Sequence, residues 1–244
     1  MNWSVPALVG VVLLGGWLGW RFRRQHRNTL RILLSFSGSY LLGITLLHLL
    51  PEAYAIEGAS LGVYVMSGFF LQLFLELLTK GVEHGHVHVH EGERLSNSYI
   101  GSVLIGLSIH AILEGLPLSE TSLGVHTHHH SYLLLGIVAH KIPEAFSFVL
   151  LLTLAHFRNR TVLIAVLALS VMSPLGMYLP TILNGQGLLM PSTLAIIMGV
   201  VAGSFLHITA TILFESENKN HTIGWQKLVA ILLGAGLSLI TMHA

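Results

Sequence analysis

The 244-residue sequence contains no cysteine, so no disulfide framework can staple it and no thiolate can ligate a metal. Any metal it binds meets imidazole and carboxylate instead. Charged residues are scarce as well, at 9%, against 53% hydrophobic residues and a mean hydropathy of +0.74. That balance excludes an ordinary water-soluble domain, in which about a quarter of the residues carry charge. At a formal net charge of +1, bulk charge offers nothing for nucleic acid or an acidic partner to recognise. A GxxxxGK(S/T) loop and a soluble nucleotide-binding stretch are also lacking, which argues against ATP-driven pumping and leaves a gradient as the driving force.

What is present is a succession of apolar segments of roughly 18 to 23 residues, each about long enough to cross a hydrocarbon core near 30 Å thick. Eight can be read: Trp3 to Trp20, Ile32 to Leu50, Leu61 to Leu78, Tyr99 to Leu118, Tyr132 to Leu154, Val162 to Leu183, Thr193 to Phe214 and Trp225 to Met242. The first is as short as a secretory signal, but its charges follow the apolar run instead of preceding it, so it is expected to remain a helix. The expected fold is all-α, a polytopic membrane helix bundle of eight transmembrane helices forming one domain over residues 1–244.

Eleven of the twelve Lys and Arg residues fall in alternate connections. Arg21, Arg23, Arg24, Arg27 and Arg31 follow the first segment, Lys80 and Arg94 the third, Arg158 and Arg160 the fifth, Lys219 and Lys227 the seventh. The connections 51–60, 119–131 and 184–192 contain none. Because cytoplasmic loops collect positive charge, both termini are expected outside, with a plasma or inner membrane as the location.

The longest polar connection, from about Thr79 to Ser98, carries His84, His86, His88 and His90 among glycines and glutamates, and is expected on the cytoplasmic side. A second tract, His126, His128, His129 and His130, lies in the outer loop at about 119–131. Such tracts cannot build a core, and their imidazoles suit weak metal capture; a mobile solvated linker is the plain alternative.

An ionisable group at bilayer depth costs several kcal/mol, so each one present asks for a function and a place facing the bundle interior. The fourth segment holds His110 and Glu114, and the fifth His140, Lys141 and Glu144, while His48 lies in the second and His207 in the seventh. The spacing i, i+4 stacks His110 over Glu114 and His140 over Glu144, each pair on one helical face. If those faces meet, two imidazoles and two carboxylates can close around one ion. The donors suit Zn²⁺, Fe²⁺, Co²⁺ or Mn²⁺ better than Ca²⁺ or Mg²⁺, and a bidentate glutamate would raise the coordination number above four. Such a set releases metal on protonation more readily than thiolates would, as a transport site requires.

Prolines stand beside these ligands: Pro117 after Glu114, Pro143 directly before Glu144, Pro51 after His48, and Pro174 in the sixth segment. Each disturbs the carbonyl four residues earlier, here Leu113, Ala139, Leu47 and Ser170, and a freed carbonyl can line an ion path as well as mark a packing kink. Lys141 is a cation beside a presumed cation site and would repel metal unless it pairs with Glu144 or Glu114, faces elsewhere, or is kept neutral part of the time by burial. His48 and Glu52 repeat the i, i+4 spacing near the outer end of the second segment; they and His207 are candidate way stations.

The stretches His110-Ala-Ile-Leu-Glu114-Gly115, His140-Lys-Ile-Pro143-Glu144-Ala145 and His48-Leu-Leu-Pro-Glu52 resemble the signature motifs of the ZIP (Zrt/Irt-like) metal transporters, and the resemblance extends over the whole chain. It implies uptake of Zn²⁺, or of iron, manganese, cadmium or cobalt, into the cytoplasm. It also implies a bundle in which segments one to three and six to eight form inverted repeats around four and five. Members with a binuclear site carry Asn and Asp where this chain has Ala111 and Lys141, and Ser173 stands where a further carboxylate would be. The resemblance therefore implies a single ion, with Lys141 supplying the charge a second ion would bring.

Two other functions compete with a carrier. An intramembrane metalloenzyme lacks its HExxH signature, because Ala111 and Lys141 follow the two histidines where a general-base Glu is needed. A membrane-embedded metal sensor would need neither the outer nor the inner histidine tract. The expected partners are a divalent metal ion as substrate and the lipid bilayer, with a homodimer left open, no nucleic acid and no catalytic cofactor.

Overall fold

The computed structural model describes residues 3–22, 27–85, 95–119, 127–185, 190–215 and 224–241, and among these helix is the only regular structure. α1 (Ser4–Arg21) comes first. α2 (Arg27–Ile44) passes through a π-helical turn, Thr45–Leu49, into α3 (Leu50–Glu57). That wide turn directly precedes Pro51, which has no N–H to give and whose ring would strike the Leu47 carbonyl in a regular helix. The Leu50 N–H reaches back to the Thr45 carbonyl instead. Gly58, at φ 66°, turns the chain towards α4 (Leu61–Thr79).

α5 (Asn97–Gly115) begins on Ser96, whose hydroxyl accepts a hydrogen bond from the Tyr99 N–H at 3.1 Å. It ends in a tighter turn, Leu116–Leu118, that contains Pro117. α6 (Thr127–Leu154) starts ahead of the expected Tyr132, so the backbone of His128, His129 and His130 is helical there instead of loop. The sixth apolar segment is not continuous. α7 (Asn159–Ser170) and α8 (Met172–Gly185) part at Val171, because Pro174 has no N–H for the Ser170 carbonyl. α9 (Pro191–Glu215) and α10 (Trp225–Ile240) complete the bundle.

α1 packs on α6, α5 on α8, α4 on α9 and α10 on α2. In a bilayer apolar side chains gain little by leaving lipid for protein, so close packing has to hold helices together, and small residues permit it. At the α5–α8 crossing Gly115 meets the Ser173 carbonyl and Gly176 the Ile112 carbonyl; at the α4–α9 crossing Gly68 meets the Val200 carbonyl and Gly203 that of Val65. A Cβ at any of the four would collide with backbone.

Among the described residues, six helical stretches are long and apolar enough to cross a membrane: Ser4–Arg21, Thr29–Thr79, Asn97–Leu118, Ser131–Leu154, Asn159–Asn184 and Pro191–Phe214. Trp225–Ile240 is apolar but shorter. In the apolar part of α6, Ser131–Leu154, 72% of the most hydrophobic run of residues is buried, against 39% for α1, which puts α6 at the centre of the bundle. The outer face of α4 exposes Val63, Met66, Phe70, Phe74 and Leu77, a surface suited to hydrocarbon.

Candidate metal centre

The i, i+4 pairs on α5 and α6 face each other. His110, Glu114, His140 and Glu144 are fully buried, and one ligand atom from each lies within 4.8 Å of the others. His110 Nε2 stands 3.1 Å from Glu114 Oε1 and 4.0 Å from Glu144 Oε2, and His140 Nε2 is 3.8 Å from Glu114 Oε1. The two rings meet edge to face at 6.1 Å between centroids. Among the described residues, both nitrogens of each imidazole, with Glu114 Oε1 and Glu144 Oε1, have no well-aligned hydrogen bond. Buried polar atoms are ordinarily paired, and a cluster of lone pairs converging from two helices is a set that a cation satisfies.

Helix geometry brings this about. Residues four apart lie on one face, and Gly115 lets α5 press on α8 next to the site. Pro143, inside α6 just before Glu144, takes a hydrogen bond from the Ser147 hydroxyl on its carbonyl at 2.8 Å. Lys141, 1% exposed, pairs with both candidates at once: its Nζ lies 2.5 Å from Glu114 Oε2 and 2.7 Å from Glu144 Oε2. The repulsion expected of a lysine here is thus met by two carboxylates. Ser173, on α8, is 2% exposed with its hydroxyl unpartnered, and its carbonyl abuts Gly115.

A second cluster lies apart from the first. Glu76 of α4, His84 of the short turn Val82–His84 and His207 of α9 also bring ligand atoms within 4.8 Å of one another. His207 Nε2 is 2.6 Å and His84 Nε2 3.9 Å from the same oxygen, Glu76 Oε2. Phe69 meets the His207 ring edge to face at 4.8 Å. The sequence singled out His207 and His84 but did not join them, and no local spacing ties Glu76 to either.

The turn also departs from the reading of the long polar connection as a solvated linker, and does so for residues 80–85 alone. At its start the chain passes through the left-handed Lys80 and Gly81 and tucks Val82, Glu83 and His84 into the bundle, exposed by 1%, 0% and 5%. His86, His88, His90 and His126 lie outside the described residues, and of His128, His129 and His130 only the backbone is described. His48 sits in the π turn with its Nε2 3.2 Å from Thr241 Oγ1, and Glu52 is partly buried on α3; among the described residues neither belongs to one of the two clusters.

Known proteins share this arrangement's sequence in part. Residues 100–242 match the family model described as ZIP Zinc transporter, a stretch that runs from the first turn of α5 through α10 and includes the whole central cluster. The bovine protein named Zinc transporter ZIP1 is 27% identical over an alignment covering 89% of this chain and 78% of its own. Protein zntD of Dictyostelium discoideum is 29% identical over 57% of this chain, and the rat Zinc transporter SLC39A7 is 34% identical over 27% of it. The last two are much longer proteins, of which the alignments span 21% and 18%.

Proposed function

The chain belongs to the ZIP zinc transporter family, and from that premise we propose that it carries a divalent transition-metal ion into the cytoplasm, zinc before iron, manganese, cadmium or cobalt, through a site made by His110, Glu114, His140 and Glu144. One observation carries the reading: four fully buried metal-binding side chains converge from two adjacent membrane-length helices. Sites of this kind at membrane depth are expensive to build and belong to transport pathways. The family and the names of the relatives indicate a transporter and not an enzyme.

In this proposal the 51-residue stretch Thr29–Thr79 makes two crossings that turn at Gly58, α7 and α8 together make one, and the chain crosses eight times with both termini outside. The whole of 1–244 acts as one transporter domain, with segments one to three and six to eight as inverted repeats around α5 and α6. His48 and Glu52 serve on the outer side of the path, and Glu76, His84 and His207 form a station on its cytoplasmic side, where arginines and lysines mark the exit. The histidine tracts gather metal at either mouth. The central site takes one ion, with Lys141 in place of a second, and Ser173 adds a neutral oxygen near it.

The deciding test is radioactive zinc uptake into liposomes that contain the purified protein, with a zinc gradient and no nucleotide. Saturable uptake by the wild type that is lost in His140→Ala is the expected result. Zinc that binds in a His140-dependent way but does not cross the membrane would turn the reading towards a sensor.

A further inference from the structure

Lys141 divides the oxygens of the two central carboxylates. Its ammonium holds Glu114 Oε2 at 2.5 Å and Glu144 Oε2 at 2.7 Å. Glu114 Oε1 faces the imidazoles instead, 3.1 Å from His110 Nε2 and 3.8 Å from His140 Nε2. On Glu144 the lysine-held Oε2 is also the oxygen 4.0 Å from His110 Nε2, while Oε1 is buried with no hydrogen bond among the described residues. Each glutamate thus has one oxygen on the lysine and one left over. All five side chains are at most 1% exposed, so bulk water does not loosen the division.

We propose that Lys141 sets the metal selectivity of this chain by holding one oxygen of each glutamate, so that each carboxylate offers the ion a single donor. The proposal rests on the reading of His110, Glu114, His140 and Glu144 as the transport site. Two imidazole nitrogens and two single carboxylate oxygens make the four-donor tetrahedral set that Zn²⁺ and Co²⁺ accept. Mn²⁺ is at home with octahedral, oxygen-rich surroundings. Without the ammonium both carboxylates are free to bind through two oxygens each, which brings the donor count to six and opens the site to such ions. Nothing on α5 repeats the restraint: Ala111, which follows His110 as Lys141 follows His140, has only a methyl group. An ammonium tethered by four carbons acts here on ligand geometry, as outer partners of metal ligands commonly do.

Cobalt is the probe, because four-coordinate Co²⁺ absorbs visible light far more strongly than six-coordinate Co²⁺. The purified full-length protein is titrated with cobalt chloride, and the spectrum of His110→Ala is subtracted so that only the central site is read. The wild type is expected to give intense four-coordinate bands, and Lys141→Met to give weak six-coordinate ones. In liposomes, Lys141→Met is expected to lower the ratio of zinc to manganese uptake by roughly tenfold. Weak six-coordinate bands in the wild type overturn the assignment of Lys141 and leave the site standing, as does an unchanged zinc-to-manganese ratio in the variant. A wild type with no His110-dependent cobalt spectrum overturns the site and the assignment together. If Lys141→Met does not fold, the wild-type spectrum decides alone.

Discussion

His207 Nε2 lies 2.6 Å from Glu76 Oε2, a contact that ties α9 to α4 between residues 131 apart in the chain. The His84 ring comes in over it, 6.4 Å from the ring of His207, carried by a turn that enters the bundle directly after α4. Among the described residues the protein therefore offers two sets of side chains that could hold a metal ion, one made by α5 and α6 and one by α4, α9 and the turn Val82–His84. A path through a membrane needs more than one foothold, since an ion that can only enter a site and not step onward remains bound there.

If the second set is the inner step of the path, its loss should slow release more than capture. His207→Ala is expected to lower the maximal rate of zinc uptake by roughly tenfold while leaving KM near that of the wild type. Glu76→Gln should do the same, because the carboxylate is the member that both histidines share. A raised KM with an unchanged maximal rate would place these residues on the entry side or off the path.

Glu144 tests the central set. In Glu144→Ala the two imidazoles and Glu114 remain, but one donor is gone and the Lys141 ammonium has only Glu114 left to pair with. The positive charge then competes with the ion for the one carboxylate. Uptake is expected to fall to background, with membrane insertion and helical circular dichroism as in the wild type. Wild-type uptake in this variant would remove the proposed site.

The two sets differ in how far the sequence announces them. His110 with Glu114 and His140 with Glu144 are legible because one helical turn is a local distance, so a four-residue spacing predicts a shared face before any tertiary contact is known. Glu76, His84 and His207 have no such spacing, and only the packing of α4 on α9 joins them. His84 was further hidden by its neighbours, since it opens an alternating run that reads as solvated linker although the turn buries it. Pro174 and Pro51 signalled disturbed helix, but periodicity alone does not say that one ends a helix at Val171 and the other is absorbed by a π turn. The double pairing of Lys141 was foreseeable only as a choice of partners, because which carboxylate it meets depends on the α5–α6 crossing.

Gly115 tests whether close backbone packing positions Glu114. A methyl group at this position runs into the Ser173 carbonyl on α8, so α5 must shift where the metal donors converge. Gly115→Ala is expected to cost about 1–3 kcal/mol of stability, seen as a lowered Tm in detergent, and to reduce zinc uptake as well. Gly236→Ala is the control: nothing lies within 4 Å of its added Cβ, and Tm and uptake should stay as they are. Equal behaviour of the two variants would deny the α5–α8 contact any part in shaping the site.

The absence of cysteine makes the topology directly testable, since a single introduced thiol has no background. Ser60 follows the Gly58 turn and Asn159 opens α7, and both are exposed. In the proposed topology two crossings in Thr29–Thr79 place Ser60 outside, whereas the arginines at 158 and 160 place Asn159 in the cytoplasm. In intact cells a membrane-impermeant maleimide should label Ser60→Cys and spare Asn159→Cys, which becomes reactive only after the membrane is opened. The reverse pattern would invert the bundle and turn the proposed uptake into export. Protection of both sites until the membrane is opened would mean that the chain does not turn at Gly58 on the outer side, and the count of eight crossings would fail with it.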